Sequence, residues 1–179
     1  MISELKYLHE EKMKMLITIT ILIAGISVNP LMCGLDAIYS KPVAEKVTEI
    51  VKIEPEAKWI AVDSFVYPDY LIACGARTYN STNYVPNLRF WEILDPKREQ
   101  DEIYNRYAHI FISLTNEETT MELENVDYIH LNLNYNDLEK LDIDYVVSSS
   151  ELECACKVGL NEICSEYGAY IYKMSEKNY

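Results

Sequence analysis

The sequence predicts an α/β fold: a small mixed sheet with flanking helices, preceded by one N-terminal transmembrane helix. Three observations carry this reading. Residues 15–35 are 21 consecutive uncharged residues between Lys14 and Asp36. Val43, Ala44, Val47, Ile50 and Val51 recur at the spacing of one helix face. Ile129, Leu131 and Leu133 alternate with polar neighbours at the period of a half-buried strand.

The opening segment has the length a bilayer span needs, about 20 apolar residues for roughly 30 Å of hydrocarbon. Thr18, Thr20 and Ser27 can return their hydroxyls to the helix backbone. Asn29-Pro30 weakens the distal end, because Pro has no N–H and disfavours a helical residue before it. A cleaved secretory signal and a buried core helix are the alternatives. Lys12 and Lys14 with Gly25-Ile26-Ser27 suit the signal, whereas the lack of a polar face disfavours the core helix. The expected organisation is a cytoplasmic stub over residues 1–14, a span over 15–35 and an extracytoplasmic α/β domain over 40–179. Lys6, Lys12 and Lys14 ahead of the apolar run set that orientation. The location implied is a cell membrane, crossed once.

Along the domain, Ser40-Lys41-Pro42 reads as a helix start, and Pro55 stops the helix. Residues 59–63 form a short apolar run suited to a buried strand. Residues 68–74 suit a short helix closed by Gly75 in the left-handed cap position. The stretch GARTYNSTNYVP reads as a polar loop, followed by short helices at residues 87–94 and 97–107. Strand character appears at 109–114, 120–124, 128–134 and 145–147, with a brief helix at 136–141. Residues 162–167 and 169–174 around Gly168 read as a hairpin.

Composition narrows the partners. The chain carries 29 acidic against 16 basic residues, a net charge of −13. Thirteen of the acids lie in residues 117–166, beside only Lys140 and Lys157. Such a surface repels phosphate backbones, so nucleic acid is excluded as a partner.

No catalytic motif is present. Unpaired structural cysteines are the first reading; one disulfide between Cys164 and either Cys154 or Cys156 is the second, in keeping with an oxidising exterior. A zinc site is disfavoured, since those thiols have no nearby His, and no metal or cofactor is expected. His9, His109 and His130 read as structural, and Asp63 at a strand end is a weak site candidate. Asp142 and Asp144 lack a calcium-loop pattern. The best recognition surface is GARTYNSTNYVPNLRFW together with YNRYAH. There Tyr79, Tyr84, Trp91 and Tyr107 offer rings for stacking, and Arg77, Asn80, Asn83, Asn105 and Arg106 offer directional hydrogen bonds. The competing reading packs Tyr104 and Tyr107 on the core and uses Asn105 and Arg106 to tie the loop down. Asn80-Ser81-Thr82 also matches a glycosylation acceptor.

The succession of the apolar segment, KPVAEKVTEIVKIEPEAKWIAVDS, LIACGARTYNS, NLRFWEILDP, EIYNRYAHI and YGAYIYKM resembles the C-terminal end of large bacterial multi-pass membrane proteins related to GT-C-type glycosyltransferases and YfhO-like proteins. In those, a last transmembrane helix leads into a small extracytoplasmic α/β domain. The resemblance implies a role in envelope glycan assembly with a lipid-linked sugar. It also implies that this chain, with one span and no early catalytic loop, is not a glycosyltransferase alone, and no catalytic residue carries over. The expected function is therefore a membrane-anchored accessory or recognition domain, non-catalytic by itself, that meets a glycan or another envelope membrane protein. The alternatives are a small exported glycan-acting hydrolase using paired carboxylates, and a protein-interaction module.

Overall fold

A computed structural model describes residues 2–27, 39–153, 159–166 and 168–175. The chain divides into two units, residues 1–37 and 38–179. In the first, helix α1 runs Ile2–Ser27. Thr18 Oγ1 donates to the Lys14 carbonyl and Thr20 Oγ1 to that of Leu16, both at 2.9 Å, the back-bonding expected for hydroxyls in an apolar helix. Met15, Leu16, Ile17, Ile21, Leu22 and Ile23 are all exposed. No helix among the described residues is long and apolar enough to cross a membrane. Glu10, Glu11, Lys12 and Lys14 occupy the middle of α1, and the part after Lys14 spans only about 20 Å at 1.5 Å per residue. The remainder of the predicted span, 28–35, lies outside the described residues.

The second unit contains α2 (Pro42–Ile53), β1 (Lys58–Val62), α3 (Tyr67–Ala73), β2 (Arg77–Thr78), β3 (Thr82–Asn83), α4 (Leu88–Leu94), α5 (Asp101–Tyr104), β4 (Ala108–Thr115), β5 (Thr120–Asn125), β6 (Tyr128–Asn134), α6 (Asp137–Lys140), β7 (Tyr145–Ser148), β8 (Leu160–Glu166) and β9 (Ala169–Met174). These make a mixed α/β architecture with two small mixed sheets and flanking helices, where the sequence predicts one sheet. The first has the order β2-β1-β7-β9-β8 and the second β3-β4-β6-β5.

Burial explains the division. Trp59, Ile60, Ala61 and Val62 of β1 are fully buried, as are Val146 and Val147 of β7, so the centre of the first sheet must be covered on both sides. Trp59, Ala61, Tyr145 and Val147 pack with Ala44, Val47 and Ile50 of α2 and Leu71 of α3. Ile60, Val62 and Val146 face the other way and join Ile110, Ile112, Ile129, Leu131 and Leu133 of the second sheet, with Phe90, Trp91 and Tyr104 from α4 and α5. β4 and β6 can supply that second cover because their residues alternate between buried and half-buried, leaving His109, Phe111, Ser113 and Tyr128, His130, Asn132 on the outer side.

The local signals account for most boundaries. Pro42 occupies the first turn of α2. At the end of α3, Gly75 has φ +85°; its N–H donates to the Ile72 carbonyl and that of Ala76 to the Leu71 carbonyl, both at 2.9 Å, the Schellman arrangement that glycine permits. Asn87 caps α4 by accepting from the Phe90 N–H. The helix predicted at 97–107 shrinks to α5. The Asp95 carboxylate accepts from the backbone N–H groups of Glu99 and Gln100 at 3.0 and 2.7 Å, and Arg98 sits at φ +57°, so a turn occupies the stretch where the helix would begin. The polar loop at 75–86 contains the two-residue strands β2 and β3, too short to show a period in sequence. Gly168 has φ +79°, and β8 and β9 pair antiparallel on either side of it.

Candidate functional site

The outer side of the second sheet gathers the chemistry. Phe65, in the β1–α3 connection, is half exposed and leans over Phe111 of β4 and Tyr128 of β6, with ring centroids 4.7 and 5.4 Å away. Beneath it opens a cleft of about 470 Å³ lined by Phe65, Asp69, Ser81, Thr82, His109 and Tyr128 among others. That volume suits a small ligand. Burial, with Glu124 nearby, pushes the Tyr128 phenol above its ordinary pKa. His109 is held at both ring nitrogens: Nδ1 lies 2.8 Å from Thr82 Oγ1 and Nε2 3.3 Å from the Tyr107 hydroxyl. Tyr107 in turn meets Tyr84 at 5.5 Å.

Farther along the same side runs a chain of polar contacts. Ser113 Oγ donates to Asp63 Oδ1 at 2.8 Å and lies 3.1 Å from His130 Nε2. His130 Nδ1 is 3.7 Å from Glu124 Oε1. The β5–β6 register shifts between Leu123 and Asn125, a bulge of the kind that re-aims a side chain. Asp63 itself has φ +54°, its N–H donates to the Ile112 carbonyl, and its carbonyl accepts from Ser149 Oγ at 2.9 Å. This residue therefore ties the end of β1 to both β4 and the end of β7.

A second cavity of about 720 Å³ lies at the carboxyl ends of β1 and β7, where Lys41, Ser64, Tyr67, Tyr70 and Ser149 line it. Its polar side chains are engaged within the protein. Ser64 Oγ accepts from the Val66 and Tyr67 N–H groups, the Tyr67 hydroxyl donates to the Gly168 carbonyl, and the Lys41 ammonium sits over the Tyr70 ring. The outer sheet surface is the better site.

The residues singled out in sequence separate into groups. Tyr84 and Tyr107 are exposed and come together beside His109. Asn83 lies on β3, opposite Ala108. Tyr79 stacks on Phe90, and Trp91 is buried against Tyr104. Asn80 is fully buried; its Oδ1 accepts from the Ala61 N–H at 2.9 Å and its Nδ2 donates to the Ala61 carbonyl at 2.6 Å. The same burial puts the glycosylation-type triplet out of reach in the folded chain. Arg77 is exposed and paired with Glu56. Asn105 reaches Asp101, and the Arg106 guanidinium donates to the carbonyls of Glu102 and Val126. Of the predicted disulfide partners, Cys154 and Cys156 lie outside the described residues, while Cys164 sits half-buried on β8. Among the described residues no group of three or more His, Cys, Asp or Glu is arranged to hold a metal.

Phe65, Phe111, Ser113, Tyr128 and His130 are absent from the sequence-based site. The available signal was the outer half of the alternation: two strands whose polar-side positions carry aromatic rings and imidazoles where a solvated side carries charges.

Residues 37–178 match a family described as a domain of unknown function (DUF7654). No curated protein matches the chain, and no solved structure does.

Proposed function

The chain belongs to that family, and we propose that it is a membrane-anchored, extracytoplasmic recognition domain of a bacterial envelope-glycan assembly system, which takes its sugar on the outer side of the second sheet. The observation that carries this reading is the aromatic cleft. Phe65 and Tyr128 offer flat apolar walls to the C–H face of a pyranose ring, and Asp69, Ser81 and Thr82 offer acceptors and donors for its hydroxyls. The membrane part rests on residues 15–35: an uncharged run that begins in α1 with exposed apolar side chains, preceded by three lysines that favour a cytoplasmic N-terminus. An acidic domain beyond it suits neutral glycans or basic partners better than anionic headgroups. A second reading, a glycan-acting hydrolase, is favoured by the Asp63–Ser113–His130–Glu124 chain beside the cleft.

Two measurements test the proposal. Protease added to intact cells should cleave residues 40–179; protection until lysis would sink the topology. In saturation-transfer NMR on the full chain in sugar-free detergent, soluble cell-wall oligosaccharides should show contacts that Phe65→Ala and Tyr128→Ala weaken about tenfold or more, the worth of roughly 1.4 kcal/mol of lost stacking. Undiminished contacts in both variants would remove the cleft from the reading.

A further inference from the structure

The outer side of the second sheet carries more than a binding wall. Ser113, on β4, has its Oγ 3.1 Å from His130 Nε2, and Glu124 stands 3.7 Å from the other ring nitrogen. A nucleophile beside a base, and a base oriented by a third group, is the arrangement shared by serine hydrolases on unrelated folds. We propose that Ser113, His130 and Glu124 form an ester-hydrolysing site, and that its substrates are O-acyl groups on a sugar held at the Phe65–Tyr128 cleft.

Each part has a physical reason. The carboxylate beside Nδ1 favours the tautomer with the proton on that nitrogen, leaving Nε2 free to accept. Glu122 is the register partner of His130, and Glu124 falls at the register shift between Leu123 and Asn125, from where its carboxylate stands beside Nδ1. The Ser113 hydroxyl donates to Asp63 in the resting arrangement, and rotation about its C–O bond delivers the proton to Nε2 with no heavy atom moving.

The reaction balances without an added oxidant or metal. Ser113 Oγ bonds to the acyl carbon as His130 Nε2 takes its proton. The bond from that carbon to the sugar oxygen breaks, and His130 returns the proton to the departing oxygen. A water molecule, deprotonated by His130, then releases the carboxylic acid and restores Ser113. Tyr128 and His130 are neighbours on one side of the same strand, with nearly parallel rings whose centroids are 6.4 Å apart. This is roughly the width of a sugar ring, so a ring against Tyr128 presents a substituent to Ser113.

The choice of substrate rests on the glycan reading, whereas the nucleophile does not, and the test separates them. The full chain in detergent is treated with a fluorophosphonate probe and, separately, with p-nitrophenyl acetate, neither of which needs a sugar site. Expected are one fluorophosphonate per chain on the peptide containing Ser113, and ester turnover with an initial burst. Ser113→Ala should abolish both, and His130→Gln should lower turnover about 10²–10⁴-fold. Ser113→Cys should keep covalent labelling at position 113, which covers the case in which the alanine variant fails to fold. Labelling only at lysines, or unchanged turnover in folded Ser113→Ala, would overturn the proposal while leaving glycan contacts at Tyr128 to stand.

Discussion

Asn80→Ala is the most informative substitution for the fold, because this asparagine does the work of a missing strand residue. β2 pairs with β1 only at Lys58 and Trp59, and the Tyr79 N–H then donates to the Trp59 carbonyl at 3.0 Å. Beyond that point the Asn80 amide takes over and satisfies both the N–H and the carbonyl of Ala61. Both residues are fully buried, so alanine leaves a backbone donor and an acceptor without partners away from water. Each such group costs about 1–3 kcal/mol, giving roughly 4 kcal/mol for the pair, a large share of the 5–15 kcal/mol typical of a domain. For a domain of this size that corresponds to a Tm lower by about 15 °C. Thermal and urea unfolding of the full chain, followed by circular dichroism, measure it. Asn80→Asp, which buries a carboxylate against the Ala61 carbonyl, should be at least as destabilised as Asn80→Ala at pH 7. A loss under about 1 kcal/mol in Asn80→Ala would refute the reasoning and return Asn80 to the candidate binding residues.

Further outcomes follow from other contacts. The hydrogen bond from Lys173 holds the Glu54 carboxyl below its ordinary value of 4.5, with a second bond from Tyr145. Its contribution is present above that value and is lost as pH falls through the lowered one. Glu54→Gln should therefore lose stability at pH 7 but not at strongly acid pH. Both partners are more than a third exposed, so the loss should stay below about 1 kcal/mol in urea titrations. Asp63→Ala replaces a residue type that tolerates the left-handed region, here at φ +54°, with one that tolerates it less, and it removes the Ser113 acceptor; it should cost about 1–2 kcal/mol. Asp63→Asn, better suited to that backbone, should cost less in the same unfolding measurement. Deleting residues 1–36 should move the chain from the membrane pellet to the supernatant after carbonate extraction; unchanged pelleting would place the anchor elsewhere.

The helical spacing of α2, the caps at Pro42 and Gly75, the apolar run of β1 and the alternation in β6 were all legible in sequence, because each is encoded within a turn or two of chain. The back-bonding of Thr18 and Thr20 was legible for the same reason. The polar capture by Asp95 that shortens the helix at 97–107 is also local, but it competes with propensity, and sequence alone did not say which would win.

Tertiary structure decided what depends on residues distant in the chain. Whether Trp59 through Val62 needed one covering layer or two, and hence one sheet or two, was a matter of which strands remained to pack on them. Asn80 and Trp91 had the composition of binding residues, but burial committed one to Ala61 and the other to Tyr104. Conversely, Asp63, just past the end of β1, meets Ser113, Glu124 and His130 of β4, β5 and β6, and no spacing in the sequence joins them. The sequence by itself determined most of the elements, because backbone preferences and periodicity act over short range. Only the folded chain could choose the site, because hydrogen bonds and ring contacts act between side chains that the sheet register brings to one surface.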